Sequence, residues 1–271
     1  MQRRRKGIAV PAIVVLVKSV PDTWSTKALE PDYTIDRVNA DTVIDEINEY
    51  AVEQALRLRD AHPEAGYRVI ALSVGPASAD AALRKAIAMG ADDAVHVVDE
   101  ALAGSDVLGT TWALTNAINT VADVALVVAG DASSDGATGA LPGILAEYRQ
   151  VPALTYLREV RLEEGAVVGV REDHRGTWEL RAPLPAVISV TDKADKPRFA
   201  NFKGIMAAKK HQITTLDLAG IGVAPEQVGL AHAATAVTGA AQRPPREAGR
   251  VVRGERAAAE VAQFLSDENL I

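Results

Sequence analysis

The sequence predicts an α/β protein built on a doubly wound, mostly parallel sheet, and three observations support this fold class. Apolar, largely β-branched runs such as Val124–Ala129 stop at a glycine, as strands buried on both faces of a parallel sheet do. Segments with apolar residues at helical spacing alternate with these runs. The chain has 271 residues, 48% of them hydrophobic, which is enough for one large domain with a sizeable core.

The first half of the chain supplies most of the predicted sheet. The predicted strands are Ile13–Val17, Tyr67–Val74, Ala94–Val98 and Val124–Ala129. The polar segment Lys18–Trp24 follows the first strand, and the residues from there to Asp41 lack periodicity and are expected to wrap the surface. The predicted helices are one capped by Asp45 with an apolar stripe from Ile47 to Leu58, one capped by Ser78 and stopped by Gly90, and those at Ser105–Val121 and Leu141–Tyr148.

Past Pro152 the spacing of the pattern changes. Short strand-like pieces within residues 153–182, separated by turns at Glu164-Gly165 and His174–Gly176, predict antiparallel hairpins. Ala186–Val190 is fully apolar and is expected to return to the main sheet. A charged loop and a short helix follow at residues 192–210, with Lys209 and Lys210 placed favourably for the helix dipole.

Residues 1–217 are therefore assigned to one α/β domain, and residues 218–271 to a C-terminal arm. The stretch from Leu218 to Arg253 is rich in Ala, Gly and Pro and has no core periodicity. Glu255–Leu265 then has the spacing of a terminal helix. Such an arm is either a loose tail or a segment that becomes ordered against a partner.

Composition excludes several classes of protein. The net charge of −7 argues against a nucleic-acid or anionic-membrane surface. The absence of cysteine excludes disulfides, thiolate catalysis and cysteine-ligated metal centres. The five histidines are scattered without metal-ligand spacing, so no metal site is expected.

The N-terminus imitates a signal peptide, because Arg3–Lys6 precede the apolar stretch Ile8–Val17. Pro11 and Lys18 fit a strand and its exit better, and no cleavage site follows. No apolar run approaches the ~20 residues that span a bilayer. We therefore expect a soluble, cytoplasmic protein without membrane insertion.

The loop after the strand Val124–Ala129 has the composition of an anion site. Small and hydroxyl residues connect Gly130 to the helix that begins near Leu141. Free backbone N–H groups and the positive end of a helix can hold a phosphate in such a loop. Gly136 and Gly139 would allow close backbone approach. Ordinary strand–helix turns have the same composition, so the loop alone leaves both interpretations open.

Six segments then identify a family. In order they are VVLVKSVPDTW (14–24), DEINEYAVEQALRL (45–58), ALSVGP (71–76), LRKAIAMGAD (83–92), SSDGATG (133–139) and KPRFANFKGIMAAKK (196–210). Together they resemble the β subunit of electron transfer flavoprotein over nearly the whole chain. The resemblance implies an adenine-nucleotide-hydrolase-like, Rossmann-like form of the doubly wound sheet.

The resemblance also implies a function. The expected protein is the β subunit of a heterodimer with an α subunit, an electron carrier without substrate turnover of its own and without catalytic residues. The dimer would carry one FAD, held mostly by the α subunit, and an AMP in the β subunit. Electrons would come from acyl-CoA and related dehydrogenases, as in fatty acid oxidation, and pass to a quinone oxidoreductase and the respiratory chain.

The resemblance assigns binding residues by position. The AMP contacts fall on Leu16, Asp45, Glu46, Ile47, Asn48, Val74, Asp131, Ala132, Ser133, Ser134, Asp135, Gly136, Ala137, Thr138 and Gly139. The carboxyl ends of parallel strands and a helix start are where a nucleotide would sit. The loop is shorter here than in mitochondrial members.

The same resemblance places a partner-recognition loop at Lys196–Met206. Its residues are Lys196, Pro197, Arg198, Phe199, Phe202, Ile205 and Met206, with Phe202 as the apolar anchor and Lys196, Arg198 and Lys203 as rim charges. Mitochondrial members carry leucine at the anchor, and the family usually has glutamate at the position of Lys196. In the alternative interpretation, Phe202 packs inward with Ile205 and Met206. Glu172, beside Arg171, matches a glutamate that tunes the mobile flavin domain in family members.

Three alternatives remain. A nucleotide hydrolase or ATP-pyrophosphatase could use Ser133–Gly136 as a phosphate loop, although the S-G-G-x-D-S-like loop of such enzymes is absent. A stand-alone nucleotide sensor would not need the recognition loop or the arm. Electron-bifurcating members of the family hold a second FAD where others hold AMP. The residue sequence at Asp135–Gly139 resembles the AMP-holding members and favours AMP.

Overall fold

The computed structural model describes residues 10–245 and 249–271. The basic residues of the signal-like segment lie outside the described residues. The chain forms two compact units, of which the first ends at Val237 and the second runs from Thr238 to Ile271. Among the described residues, no helix is both long and apolar enough to cross a membrane.

A single large sheet of nine strands organises the described part of the first unit. Two short strands, Ser19–Pro21 and Thr42–Ile44, pair with each other outside this sheet. The strands are β1 Ala12–Leu16, β2 Ser19–Pro21, β3 Thr42–Ile44, β4 Arg68–Val74, β5 Asp93–Val97, β6 Val124–Gly130, β7 Ala153–Glu163, β8 Ala166–Asp173, β9 Gly176–Pro183, β10 Ala186–Val190 and β11 Thr214–Leu216. Across the large sheet the order is β11-β5-β4-β1-β6-β10-β7-β8-β9. All neighbours run parallel except β7–β8 and β8–β9. The predicted mostly parallel sheet with an antiparallel hairpin region is therefore confirmed.

Helices cover both faces of the sheet, which makes it doubly wound. The helices are α1 Glu46–Ala61, α2 Asp80–Met89, α3 Val107–Asn119, α4 Leu141–Arg149, α5 Phe202–Lys210 and α6 Ala257–Asp267. One core contains apolar residues of α1, α2 and α5, and the other contains those of α3 and α4. Alternate residues of β1 show the division, since Ile13 and Val15 face the first core and Val14 faces the second.

Several boundaries differ from the sequence prediction for local reasons. Residues 153–163 form one strand, although the sequence predicted two pieces. A bulge between Leu157 and Glu159 interrupts the alternation of apolar residues and made the strand look divided. Ser78 does not cap a helix, since it lies in a short 3-10 turn and α2 begins only at Asp80. Asp45 does occupy the N-cap position of α1, but its side chain makes no capping hydrogen bond. The short strands β2, β3 and β11 were not predicted from the sequence.

The segment from Leu218 onward, which the sequence assigned to an arm without core periodicity, begins with core residues. Leu218, Ile221, Val223 and Val228 are buried in the second core, beside apolar residues of α3. They lie in turns, where burial follows no fixed period, so periodicity could not reveal them. In the second unit, α6 matches the predicted terminal helix within two residues at each end.

Candidate functional site

The candidate nucleotide site lies at the carboxyl edge of the sheet, where β1 meets β4 and β6. From β1 the chain order runs outward through β4 and β5 on one side and through β6 and β10 on the other. This reversal is a topological switch point, the position where open α/β sheets bind ligands. Buried Leu16 ends β1 and half-buried Val74 ends β4, so both predicted contacts lie at this edge.

The loop Asp131–Gly139, called here the phosphate loop, leaves β6 and leads towards α4. Its fold is held by its own polar groups, since Ala137 N–H donates to the Ser133 carbonyl at 2.8 Å and Gly136 N–H donates to Asp135 Oδ1 at 2.7 Å. Within residues 10–245, the backbone N–H groups of Thr138, Gly139 and Ala140 have no hydrogen-bond acceptor in the protein. Free amides before a helix are the donors that an anion requires.

The start of α1 fixes the phosphate loop to β1. Asp45 is buried, and its Oδ2 accepts a hydrogen bond from Ser134 N–H at 2.9 Å. Asn48 Oδ1 accepts from Lys18 N–H at 2.7 Å. Burial raises the pKa of Asp45, and the nearby Asp135 carboxylate adds to the rise. The side chain that the sequence assigned to capping thus joins two loops instead.

Close packing explains why two of the glycines at this edge are needed. A Cβ on Gly130 would lie 2.7 Å from Cγ2 of Ile47. Gly139 has φ +63°, and a Cβ there would lie 2.6 Å from the Tyr156 hydroxyl. Of the other predicted site residues, Ala132 and Ser133 are partly buried and Glu46, Ser134, Gly136, Ala137 and Thr138 are exposed.

Two cations that the predicted residue set omitted lie at the phosphate loop. Lys18 Nζ is 2.5 Å from Asp135 Oδ1, and Arg37 Nη2 is 2.6 Å from Asp135 Oδ2. Burial alone would raise the pKa of Asp135, but these two cations lower it to about 2. Arg37 comes from the irregular segment between β2 and β3, so no spacing in the sequence connects it to the phosphate loop. The edge of the sheet therefore combines free amides with two cations.

The proposed recognition segment, Lys196–Met206, lies at the start of α5. Phe199 is 99% exposed and Phe202 79% exposed, while Ile205 and Met206 are also partly open to solvent. The alternative in which Phe202 packs inward is therefore wrong. Asn201 caps α5, since its Oδ1 accepts from Gly204 N–H at 2.8 Å.

Arg198 is not a free rim charge, which corrects the sequence prediction. Its guanidinium is held by Glu53, with Nε 2.7 Å from Oε2, and by Asp60, with Nη1 3.1 Å from Oδ2. Lys196 and Lys203, in contrast, are exposed. Pro197, between Lys196 and Arg198, is partly buried.

Glu172 lies apart in sequence on β8, beside Arg171. Its carboxylate is 2.8 Å from Arg158 Nη1 and 3.3 Å from Lys193 Nζ, at the surface. These pairs are exposed, so each contributes little to stability. Among the described residues there is no group of three or more His, Cys, Asp or Glu side chains that could hold a metal ion.

Comparison with known proteins identifies the family. A family model described as the electron transfer flavoprotein domain matches residues 32–220, a range that includes the phosphate loop and the recognition segment. The chain belongs to the electron transfer flavoprotein family. The resemblance carried by the six sequence segments is thereby confirmed, and membership implies electron transport with a flavin.

Relatives from several bacteria match this electron transfer flavoprotein chain along almost its whole length. It is 48% identical over 263 residues to the electron transfer flavoprotein subunit beta of Mycobacterium bovis, covering 96% of this chain and 99% of the relative. It is 32% identical over 249 residues to the subunit beta of Megasphaera elsdenii, covering 90% and 92%. The caffeyl-CoA reductase-Etf complex subunit CarD of Acetobacterium woodii is 31% identical over 242 residues, covering 89% and 92%.

Proposed function

We propose that the chain is the β subunit of a heterodimeric electron carrier, partnered by an α subunit that holds most of one FAD. The relatives that it matches over almost their whole length are named subunit beta, which supports a partnership with an α subunit. The electrons would come from acyl-CoA and related dehydrogenases, in fatty acid oxidation, and pass to a quinone oxidoreductase of the respiratory chain. The unit Thr238–Ile271 is proposed to contact the α subunit, because its helix α6 leaves Val261 and Phe264 exposed.

We further propose that the phosphate loop holds AMP. The observation that carries this proposal is the set of free amides at Thr138–Ala140, together with Lys18 and Arg37, at the switch point of the sheet. These donors fit a nucleotide phosphate. Leu16 and Val74 would line the same edge of the sheet. In this role AMP is a structural ligand, and the residues here bind and orient it without chemistry.

The recognition segment is proposed to dock the dehydrogenase. Two exposed phenylalanines on a fixed backbone have the character of an interface anchor, since such anchors are large, rigid and surrounded by polar residues. Lys196 and Lys203 would adjust the encounter through their charge. Glu172 is proposed to tune the mobile flavin domain. Its ion pair with Lys193 connects it to the residues just before the recognition segment.

The test is to produce the chain together with its α subunit, purify and denature the complex, and quantify the released nucleotides. The proposal expects a yellow heterodimer that releases one FAD and one AMP. Two FAD and no AMP would show that the β site belongs to the bifurcating type. A chain that purifies alone and hydrolyses nucleotides would contradict the carrier function altogether.

A further inference from the structure

The segment between β2 and β3, residues 22–41, contacts the phosphate loop through Arg37 and is called here the strap. Among the described residues, the guanidinium of Arg37 on the strap makes two hydrogen bonds to residues outside it. Nη1 donates to the Ser19 carbonyl at 3.2 Å, and Nη2 donates to Asp135 Oδ2 at 2.6 Å. One end of the guanidinium is therefore fixed to β2, while the other end reaches the phosphate loop.

The carboxylate of Asp135 is bound as a phosphate would be. Its oxygens accept from the Lys18 ammonium, the Arg37 guanidinium and the backbone N–H of Gly136, and Lys18 also reaches Ser133 Oγ at 3.3 Å. An ammonium, a guanidinium and a backbone amide form a common donor set for phosphate oxygens. Asp135 supplies the anion for this set from within the chain.

Exposure shows which members of this cluster solvent can reach. The Asp135 side chain is only 2% exposed, whereas Arg37 is 31% and Lys18 40% exposed. The cations are thus accessible from outside while the carboxylate lies beneath them. The free amides of Thr138 and Gly139 follow a few residues later on the same loop.

The charges also favour an external anion over the internal one. A phosphate monoester carries more negative charge than a single carboxylate and has three oxygens for the donors. The other two carboxylates at this edge, Asp45 and Asp131, have their pKa raised by burial, so they resist ionisation more than an exposed aspartate does. A phosphate with two negative charges therefore gains more from Lys18 and Arg37 than Asp135 does.

We propose that Arg37 is a phosphate-binding residue of the nucleotide site, and that the Asp135 carboxylate occupies the phosphate's place until a nucleotide displaces it. The inference rests on the proposed nucleotide function and adds the strap to that site. Because Arg37 keeps its bond to Ser19, the guanidinium changes partner without leaving its position. Asp135 moves away from the cations, and the phosphate loop opens around it.

The experiment compares AMP with adenosine, which lacks the phosphate. The heterodimer is stripped of nucleotide with mild chaotrope, and binding of each compound is measured by calorimetry. Arg37→Gln should weaken AMP binding about tenfold, because it removes one charge-assisted hydrogen bond, and should leave adenosine binding unchanged. Lys27→Gln is the matched control, since Lys27 lies on the same strap and, among the described residues, its side chain bonds only to the Thr23 carbonyl at 3.5 Å. It should change neither affinity.

Asp135→Asn tests the displacement and does not depend on the stability of the Arg37 variant. Removing the internal anion should tighten AMP binding severalfold, with adenosine again unchanged. Equal weakening of AMP and adenosine by Arg37→Gln would mean that Arg37 only holds the strap, and no weakening of either would mean that it does not touch the phosphate. Weaker AMP binding in Asp135→Asn would contradict the displacement.

The proposed function can fail separately from this inference. A wild-type heterodimer that binds neither AMP nor adenosine contradicts both proposals. A wild-type heterodimer that binds FAD here in place of AMP contradicts the AMP assignment alone. The same Arg37→Gln comparison, made with FAD and riboflavin, then decides whether Arg37 binds phosphate.

Discussion

Glu53 and Arg198 are joined by three hydrogen bonds although they are 145 positions apart in the chain. Glu53 Oε2 accepts from the backbone N–H of Arg198 at 3.1 Å and from its Nε at 2.7 Å, and Oε1 accepts from Nη2 at 3.2 Å. The Glu53 side chain is only 4% exposed. The bond to the backbone fixes the entry to the recognition segment, so Phe199 is held out in solvent by a buried carboxylate on α1.

The first prediction concerns this pair. Glu53→Gln should loosen the recognition segment and lower the free energy of unfolding by about 1–3 kcal/mol, because the guanidinium of Arg198 loses its ion pair and keeps only hydrogen bonds to a neutral amide. Hydrogen exchange of residues 196–206 should rise, and KM for the dehydrogenase should rise more than kcat falls. Glu49→Gln is the control, since Glu49 lies on the same helix and its carboxylate is 3.7 Å from Lys85 instead. Unchanged exchange in Glu53→Gln would contradict the positioning role.

Long-range side-chain pairs mark the limit of what the sequence predicted. The main strands and helices follow from local periodicity and could be predicted, whereas the composition of residues 131–139 located a candidate loop and left its role open. Glu53 is one of several charged residues of α1, and spacing along the sequence cannot reveal its partner. The same is true of Arg37 and Asp135, since the irregular strap offers no pattern. Tertiary contacts of this kind appear only when the topology brings distant segments together.

The second prediction is a pH dependence of stability that comes from Asp135. Its pKa is about 2 in the folded protein against an ordinary value of 3.8, because Lys18 and Arg37 outweigh the effect of burial. A carboxyl with a lowered folded pKa stabilises the folded state above the unfolded pKa, and the contribution is lost as pH falls towards the folded pKa. The loss should amount to about 2 kcal/mol between about pH 5 and pH 2. Asp135→Asn should lower the free energy of unfolding at neutral pH and flatten this part of its profile in urea titrations.

Asp45→Asn serves as the contrasting variant for that measurement. Burial raises the pKa of Asp45, so its ionisation opposes folding at neutral pH, and an asparagine can still accept the hydrogen bond from Ser134. This variant should be as stable as the wild type or more so at neutral pH. If Asp135→Asn and Asp45→Asn lowered the free energy of unfolding equally, the effect would come from disturbing the loop and not from the charge of Asp135.

The third prediction separates two glycines near the phosphate loop. Gly139→Ala should cost about 1–3 kcal/mol of stability and reduce the AMP content, because the backbone has φ +63° and the new Cβ would meet the Tyr156 hydroxyl. Adding Tyr156→Phe should restore part of the loss, leaving only the backbone strain. Gly143 lies inside α4, and no atom of another described residue beyond its immediate surroundings in the helix comes within 4 Å of the new Cβ, so Gly143→Ala should stabilise the protein by about 0.5–1 kcal/mol. Thermal unfolding and nucleotide quantification check all three variants. Equal effects of Gly139→Ala and Gly143→Ala would contradict the claim that the backbone conformation and Tyr156 require a glycine at 139.

The fourth prediction concerns the C-terminal unit. Truncation after Val237 removes Thr238–Ile271 and should weaken assembly with the α subunit, while the first unit keeps its fold. Truncation after Asp217 should instead unfold the first unit, because it removes Leu218 and Val228 from the core. Analytical ultracentrifugation measures assembly, and circular dichroism measures folding. Undiminished assembly after the shorter truncation would refute the proposed contact.

The last prediction concerns docking by Phe199 and Phe202. Both rings are exposed, so their removal takes nothing from the core, and Phe202→Ala should leave the melting temperature and the FAD and AMP contents near those of the wild type. Truncating an interface anchor typically costs about 2 kcal/mol or more, roughly a thirtyfold loss of affinity. KM for the dehydrogenase should therefore rise about thirtyfold, with a further rise in the double variant Phe199→Ala/Phe202→Ala.

Dithionite decides between docking and structure, because a small reductant needs no docking surface. Its reaction with the flavin should be the same in the wild type and in both variants. Phe264→Ala, which changes the remaining phenylalanine of the chain on α6, is expected to affect assembly with the α subunit and not KM for the dehydrogenase. Charge reversal at Lys203 should act mainly on the association rate and its salt dependence. If dithionite reduction slows as much as reduction by the dehydrogenase, the phenylalanines act on the flavin environment and the anchor assignment is wrong.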